Sequence, residues 1–200
     1  MGIGRVLLNK AEEHLSKHGA KTIFLSVKNW NLKALNFYLK QNYGIRGVVF
    51  LMAAEANKIK TSSIGNAYVI TDVNASKINI RISKPLANWS NLVDEVDKFI
   101  YRKLYRDERA LIVKKNRSVK ALVTYSINHE LIVDSITLSS YSAIEALEAA
   151  LSALVNLAVS HGATSIEIPV DASKKKLVIF LENMGFKVNE VEYLLQKDLI

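Results

Sequence analysis

The residues best placed to do chemistry come first in the chain: Gly2-Ile3-Gly4-Arg5. They open a segment whose apolar residues Val6, Leu7, Leu8, Ala11 and Leu15 keep helical spacing. The first-turn N–H groups of a helix have no internal partner, and the helix dipole favours an anion there. Glycine carries no Cβ, so a phosphate or pyrophosphate can approach the backbone closely. Arg5 adds a fixed positive charge beside it. Read alone, the same residues also fit an N-terminal segment whose glycines merely precede a helix.

The elements that position these residues follow directly. Lys17-His18-Gly19 puts cations in the last turn and a glycine just beyond it, which ends the first helix. Lys21 to Val27 is a short β-rich run. Asn29 to Lys40 reads as a second helix, with Asn29 or Asn31 as its cap, and Tyr43 to Met52 reads as a turn and strand. Glycine loop, helix, strand, helix and strand, with Gly2-Ile3-Gly4 and the pattern Val27, Asn31, Ala34, Tyr38, Tyr43, resembles the C-terminal half of the GNAT acyltransferase superfamily. The resemblance covers residues 1 to about 55.

Composition bounds the alternatives. Two hundred residues, half of them apolar, hold one large domain or two small ones. The chain has no cysteine, which excludes disulfides, thiolate metal sites and a cysteine nucleophile. The sequence shows no secretory signal and no convincing membrane-spanning stretch, so the expected location is cytoplasmic. A net charge of +8 suits an anionic ligand. The lysines are scattered and few aromatics lie between them, which argues against nucleic acid. His14, His18, His129 and His161 show no ligand-like clustering in sequence, and no metal site is expected; His18 and His161 read as helix-end residues.

The chain also repeats an order of elements. His18 to Val27 matches His161 to Val170 at five of ten positions. With one compensated gap, Phe37-Tyr38-Leu39 falls on Ile179-Phe180-Leu181, Tyr43 on Phe186, and Val48 to Met52 on Val191 to Leu195. This predicts two copies of one helix–strand–helix–strand unit. Between them, Glu55 to Asn66 reads as a polar linker. Ala67 to Val73 and Lys77 to Ser83 read as strands, the second ended by Pro85, and residues 90–106 as an amphipathic helix. Ala110 to Val113, Ser118 to Ile127 and Glu130 to Leu138 read as strands joined by turns at Lys115-Asn116-Arg117 and Asn128-His129.

The expected class is a mixed α+β fold: a GNAT-like central mixed sheet flanked by helices, in tandem with a half-domain at the N-terminus. Residues 1–56 form the C-terminal half of one GNAT domain, 57–66 a linker, and 67–200 a complete GNAT-like domain. In the second copy Gly2 and Gly4 fall on Glu145 and Leu147, Tyr38 on Phe180, and Asn31 and Ala34 on Ser173 and Lys176, so its cofactor loop is degenerate. Ala143 to Ser160 is apolar around most of its girth, which predicts burial of Leu147, Leu151 and Leu154 between its own sheet and a neighbour. Pro169 cannot donate to a ladder, which suits a GNAT-like sheet at the point where two central parallel strands part.

The resemblance implies an acetyl-CoA-dependent N-acetyltransferase. Acetyl-CoA, as co-substrate, would lay its pyrophosphate over the amides of Gly2, Ile3, Gly4 and Arg5. Asn31 would hydrogen-bond the pantetheine arm, with Ala34 on the same helix face. An acceptor amine, on a protein or a small molecule, would attack the thioester directly, and Tyr38 would protonate the departing thiolate. The family has a further strand before its glycine loop, whereas this sequence begins at Met1. The expectations are therefore an upstream start, a borrowed strand or an inactive site. Strand 21–27 is expected to pair with residues 67–200 or with a second chain, giving a homo-oligomer in the latter case. The alternative function is a non-catalytic GNAT-fold protein used for assembly or ligand binding.

Overall fold

The computed structural model describes residues 2–61, 67–75, 85–88, 109–140 and 144–199. The predicted strand 77–83 and helix 90–106 lie outside them. The fold is α+β, and its contacts divide into two compact units. One comprises Met1–Val48 with Val191–Ile200, the other Val49–Glu190. The segments 1–56 and 67–200 named above do not coincide with these units.

The first unit contains helix α1 (Ile3–Lys17), strand β1 (Thr22–Lys28), helix α2 (Leu32–Leu39) and the later part of the final strand, β9 (Lys187–Asp198). β1 pairs antiparallel with β9, from Thr22 opposite Asp198 to Lys28 opposite Glu192. Val27, Tyr43 and Leu195 are buried here, with Leu8, Ile23, Leu25, Ala34, Leu35, Tyr38 and Tyr193 packed around them. α1 has no buried residue; of its expected apolar face only Leu8 is half-buried, while Val6, Leu7 and Leu15 are exposed. The pattern marks an amphipathic helix correctly, but this small unit offers too little apolar surface to cover its stripe.

The second unit carries the larger core. Its strands are the later part of β2 (Gly44–Glu55), then β3 (Val69–Asn74), β4 (Pro85–Asn88), β5 (Arg109–Lys115), β6 (Ser118–Ile127), β7 (Leu131–Leu138) and β8 (Ser165–Asp171). They run in the order β2-β8-β7-β6-β5-β3, with β4 also paired to β7. Helices α3 (Ile144–Ser160) and α4 (Lys175–Met184) belong to the same unit. Leu147, Leu151 and Leu154 of α3 are fully buried, as the near-continuous apolar girth predicts. Each contributes about 1.5–3 kcal/mol of burial.

Local chemistry explains the boundaries. β5 and β6 are joined by a two-residue turn whose Asn116 and Arg117 both take positive φ, 52° and 64°. That is the turn whose twist matches a hairpin. β7 and β8 are parallel and pair only at Leu131–Ile166 and Ile132–Glu167. Pro169 lies just past the point where they part, opposite Leu51 of β2.

Pro85 opens β4, and as its first residue it forfeits little ladder bonding; the strand it was expected to end lies outside the described residues. One sequence reading needs correction, that of the linker. The supposed linker from Glu55 is partly built into the fold. Glu55 ends β2, Ala56–Lys58 is a 3-10 turn, and Ile59 is buried. Lys60 N–H donates to the Met184 carbonyl at 2.9 Å. Backbone hydrogen bonding, which composition does not show, decides this stretch.

The two helix–strand–helix–strand segments correspond at one constant offset, that from His18 to His161. His18 N–H bonds the His14 carbonyl, and His161 N–H bonds that of Leu157. The same correspondence links Ala20→Leu15 with Ala163→Ala158, Leu35→Asn31 with Val178→Lys174, and Tyr43→Tyr38 with Phe186→Leu181. No gap is needed, so Tyr38 corresponds to Leu181 and Phe37 to Phe180, while Asn31 and Ala34 correspond to Lys174 and Leu177. Matching Tyr38 to the nearest aromatic slipped the helix by one residue.

The final strands are exchanged between the segments. β9 ends the second segment yet pairs with β1 of the first, and β2 ends the first yet pairs with β8 of the second. The registers agree: Leu25 opposes Leu195, and their counterparts Ile168 and Met52 oppose each other. The pairing of strand 21–27 expected with residues 67–200 is thus present, through β9.

One position in these strands differs sharply. Glu192 is 6% exposed and its Oε2 has no hydrogen-bond partner, whereas its counterpart on β2 is the buried Val49. A buried acceptor left unbonded costs about 1–3 kcal/mol. Glu192→Val is therefore expected to raise stability by about that amount, read as a higher urea midpoint with an unchanged m-value; a lower midpoint would refute it.

Candidate functional site

α1 starts at Gly2, an extended residue (φ −74°, ψ 136°) with no side-chain cap. The Gly2 carbonyl accepts from Arg5 N–H at 3.0 Å. No acidic residue lies in the first turn, so the positive end of the dipole is uncompensated there. A Cβ on Gly2 would meet nothing within 4 Å, and one on Gly4 would meet only the Phe37 ring, at 3.8 Å. The protein's own packing does not require either glycine.

That contact also sets α2 beside the start of α1. Asn31 caps α2, its Oδ1 accepting from Ala34 N–H at 3.1 Å. One of the two cap candidates is thereby selected, and the predicted pair Asn31 and Ala34 is joined by a helix-capping bond. The cap leaves the Asn31 amide NH2 for an outside acceptor. Ala34 packs in the small core with Leu35 and Tyr38. Tyr38 stands edge-on to Phe37 (ring centres 5.2 Å apart) and to Tyr43 (5.5 Å), half-buried. Gly4, Phe37 and Tyr38 thus form a contiguous line from the helix start to a phenol, while Arg5 is exposed.

Sequence reasoning missed a polar cluster under this surface. Tyr43 is 2% exposed and its hydroxyl donates to Glu12 Oε1 at 3.0 Å. Lys197 Nζ, on β9, bonds Glu12 Oε2 at 2.7 Å and lies 5.4 Å from the Tyr43 ring centre. Burial first, then the Glu12 hydrogen bond and charge, push the Tyr43 phenol well above its usual range. Tyr43 is a fixed donor locked to a carboxylate. The available signal was Glu12, a charge one turn beyond Leu8 on the packed side of α1.

The start of α3 contrasts with that of α1. Glu145 lies in its first turn, where Gly2 lies before α1. The Tyr68 hydroxyl donates to Glu145 Oε2 at 3.0 Å, and Lys115 Nζ lies 3.7 Å from the same oxygen and 5.1 Å from the Tyr68 ring centre. The carboxylate compensates the dipole and occupies the place an anion would take. Among the described residues no three or more His, Asp or Glu residues cluster to hold a metal ion, and no helix is long and apolar enough to cross a membrane.

A model described as the acetyltransferase (GNAT) family matches residues 1–43, which contain the glycine pair, Asn31, Ala34, Tyr38 and Tyr43. A functionally unknown conserved protein from Staphylococcus epidermidis superposes with a TM-score of 0.68 at 14% identity, covering 98% of this chain and 79% of its own. The fold is that of the GNAT proteins. A tandem GNAT protein from the clavulanic acid biosynthesis pathway gives 0.68 at 11% identity, covering 100% of this chain and 70% of its own. A GCN5-related N-acetyltransferase from Sphaerobacter thermophilus gives 0.64 at 14% identity, covering 100% and 69%. No protein of curated function matches the chain by sequence. At these identities the structural likeness is one of fold, and the family match is confined to residues 1–43.

The polar cluster makes a measurable statement about alkaline stability. The folded Tyr43 phenol holds its proton more tightly than an unfolded one, so its contribution is complete below about pH 10 and is lost as pH rises above that. Tyr43→Phe should lower the melting temperature at neutral pH and flatten the fall in stability above pH 10; equal slopes for both proteins would sink the assignment.

Proposed function

We propose that the chain acts as an acetyl-CoA-dependent N-acetyltransferase of GNAT type, with its cofactor site on the first segment. The observation that carries this is the start of α1: two glycines the protein's own packing does not need, no acidic residue in the first turn, and open space beside them. In this reading the first-turn amides of Ile3 and Gly4 hold the pyrophosphate, with Arg5 as the adjacent charge. The Asn31 amide bonds the pantetheine arm. Acetyl-CoA supplies the thioester, and an acceptor amine attacks it without a covalent enzyme intermediate. Tyr38, a phenol that keeps its proton at neutral pH, donates to the leaving sulfur.

In the same reading the chain is a tandem arrangement, with residues 1–56 as the back half of one GNAT domain and 67–200 as a second domain whose cradle is filled by Glu145. The protein acts in the cytoplasm on a protein or small-molecule amine, alone or as a homo-oligomer. The second reading, a non-catalytic GNAT-fold protein, is favoured by one observation, the Tyr68–Glu145–Lys115 cluster at the second helix start.

Calorimetric titration of the chain with acetyl-CoA separates the two. Micromolar binding that falls by at least an order of magnitude in Gly4→Glu supports the enzyme. The space around Gly4 admits a side chain, so this variant tests the ligand rather than the fold. No binding by the unaltered chain assigns it to the non-catalytic reading. Where turnover is measured, Tyr38→Phe should reduce it by roughly 10²–10⁴-fold with binding retained; unchanged turnover removes Tyr38 from the mechanism.

A further inference from the structure

The last turn of α1 carries a feature that the acetyl-transfer reading does not use. The His14 and His18 rings lie 4.3 Å apart, centre to centre, inclined by 38°. The two rings meet because positions four apart on a helix share a face.

We propose that His14 and His18 form a binding site for an imidazole-preferring divalent transition metal ion such as Zn²⁺, Ni²⁺ or Cu²⁺. His18 Nδ1 lies 2.8 Å from the His14 carbonyl oxygen. A carbonyl only accepts, so Nδ1 carries the ring proton and Nε2 keeps its lone pair. Metal-ligating histidines are commonly oriented in this way, one ring nitrogen donating to a carbonyl and the other binding the metal. Two histidines one turn apart also present their nitrogens to a shared ion, as in helical zinc motifs. The neighbouring charges do not compete. Glu13 takes Lys17 at 2.7 Å and Lys10 at 3.9 Å.

The second segment supplies an internal comparison. His161 Nδ1 makes the same bond, 2.9 Å to the Leu157 carbonyl. That bond belongs to the helix end in both segments. The second imidazole, at the position of Leu157, is peculiar to α1. With two protein ligands and the remaining positions left to water, the site is exchangeable. An ion bridging the two rings also holds the last turn of a helix that has no buried residue, so binding adds to helix stability by mass action.

The test is calorimetric titration of the full chain with nickel chloride, alongside His14→Ala, His18→Ala and His161→Ala. Only the carbonyl of residue 14 serves the cap, so His14→Ala leaves the His18 hydrogen bond in place and is the decisive variant; circular dichroism checks that α1 is retained. The proposal expects one site, weakened at least tenfold by either His14→Ala or His18→Ala and unaffected by His161→Ala. Nickel affinity unchanged in His14→Ala, or lost equally in His161→Ala, overturns it, as does millimolar binding shared by all four proteins.

Discussion

The first unit depends on one set of hydrogen bonds, those between β1 and β9. α1 has no buried residue, α2 has none, and the buried apolar residues of the unit are Val27, Tyr43, Leu194 and Leu195. Leu195 comes from β9, and so does Lys197, the cation that satisfies Glu12. Without β9 this unit would lose half of that core, Leu194 and Leu195, together with its strand partner and the counter-charge of Glu12. A buried acid left unpaired is far more costly than an exposed ion pair is favourable. The glycine-started helix and the Tyr38 helix are therefore held in place by residues from the far end of the sequence.

The same exchange gives the second unit its edge partner. β2 pairs with β8 along seven residues, in the register that β9 keeps with β1. The two strands have the same length and nearly the same burial pattern, so either could serve either unit by pattern alone. What differs is individual chemistry: Glu192 against Val49, Lys197 against Ala54. Lys197 has a purpose in the first unit, since Glu12 awaits it there. Such a local complement specifies partners that an apolar alternation cannot distinguish.

Much of this was legible in the sequence because it is local. The helix start at Gly2, its end at His18-Gly19, the strand after it, a cap at Asn29 or Asn31 and a hairpin turn within Lys115-Asn116-Arg117 all follow from short-range rules. The burial of Leu147, Leu151 and Leu154 followed from an apolar girth. The features that escaped are non-local or turn on a single backbone bond. Nothing near Tyr43 announces Lys197, and nothing in the polar composition of 55–60 reveals that Ile59 is buried or that Lys60 is hydrogen-bonded to Met184. The one-residue slip at Tyr38 has the same origin. Side-chain likeness pointed to Phe180, while the carbonyl accepting from Phe186 N–H is that of Leu181. Of the candidate site, the sequence supplied the residues on α1 and α2; the polar support beneath them needed the fold.

The exchange of β9 has a consequence for biosynthesis. A ribosome releases the chain from its first residue onward, so α1, β1 and α2 emerge long before residues 191–198. Through that interval β1 has no partner strand from β9, and a bare apolar edge is a template for pairing with other chains. In the second unit β2, complete at Glu55, likewise waits for β8, which starts at Ser165. The opening segment thus waits longest, for residues made only after the second unit ends at Glu190. Contacts that join distant parts of a sequence are slow to form, and here they fall on the unit with the least core of its own.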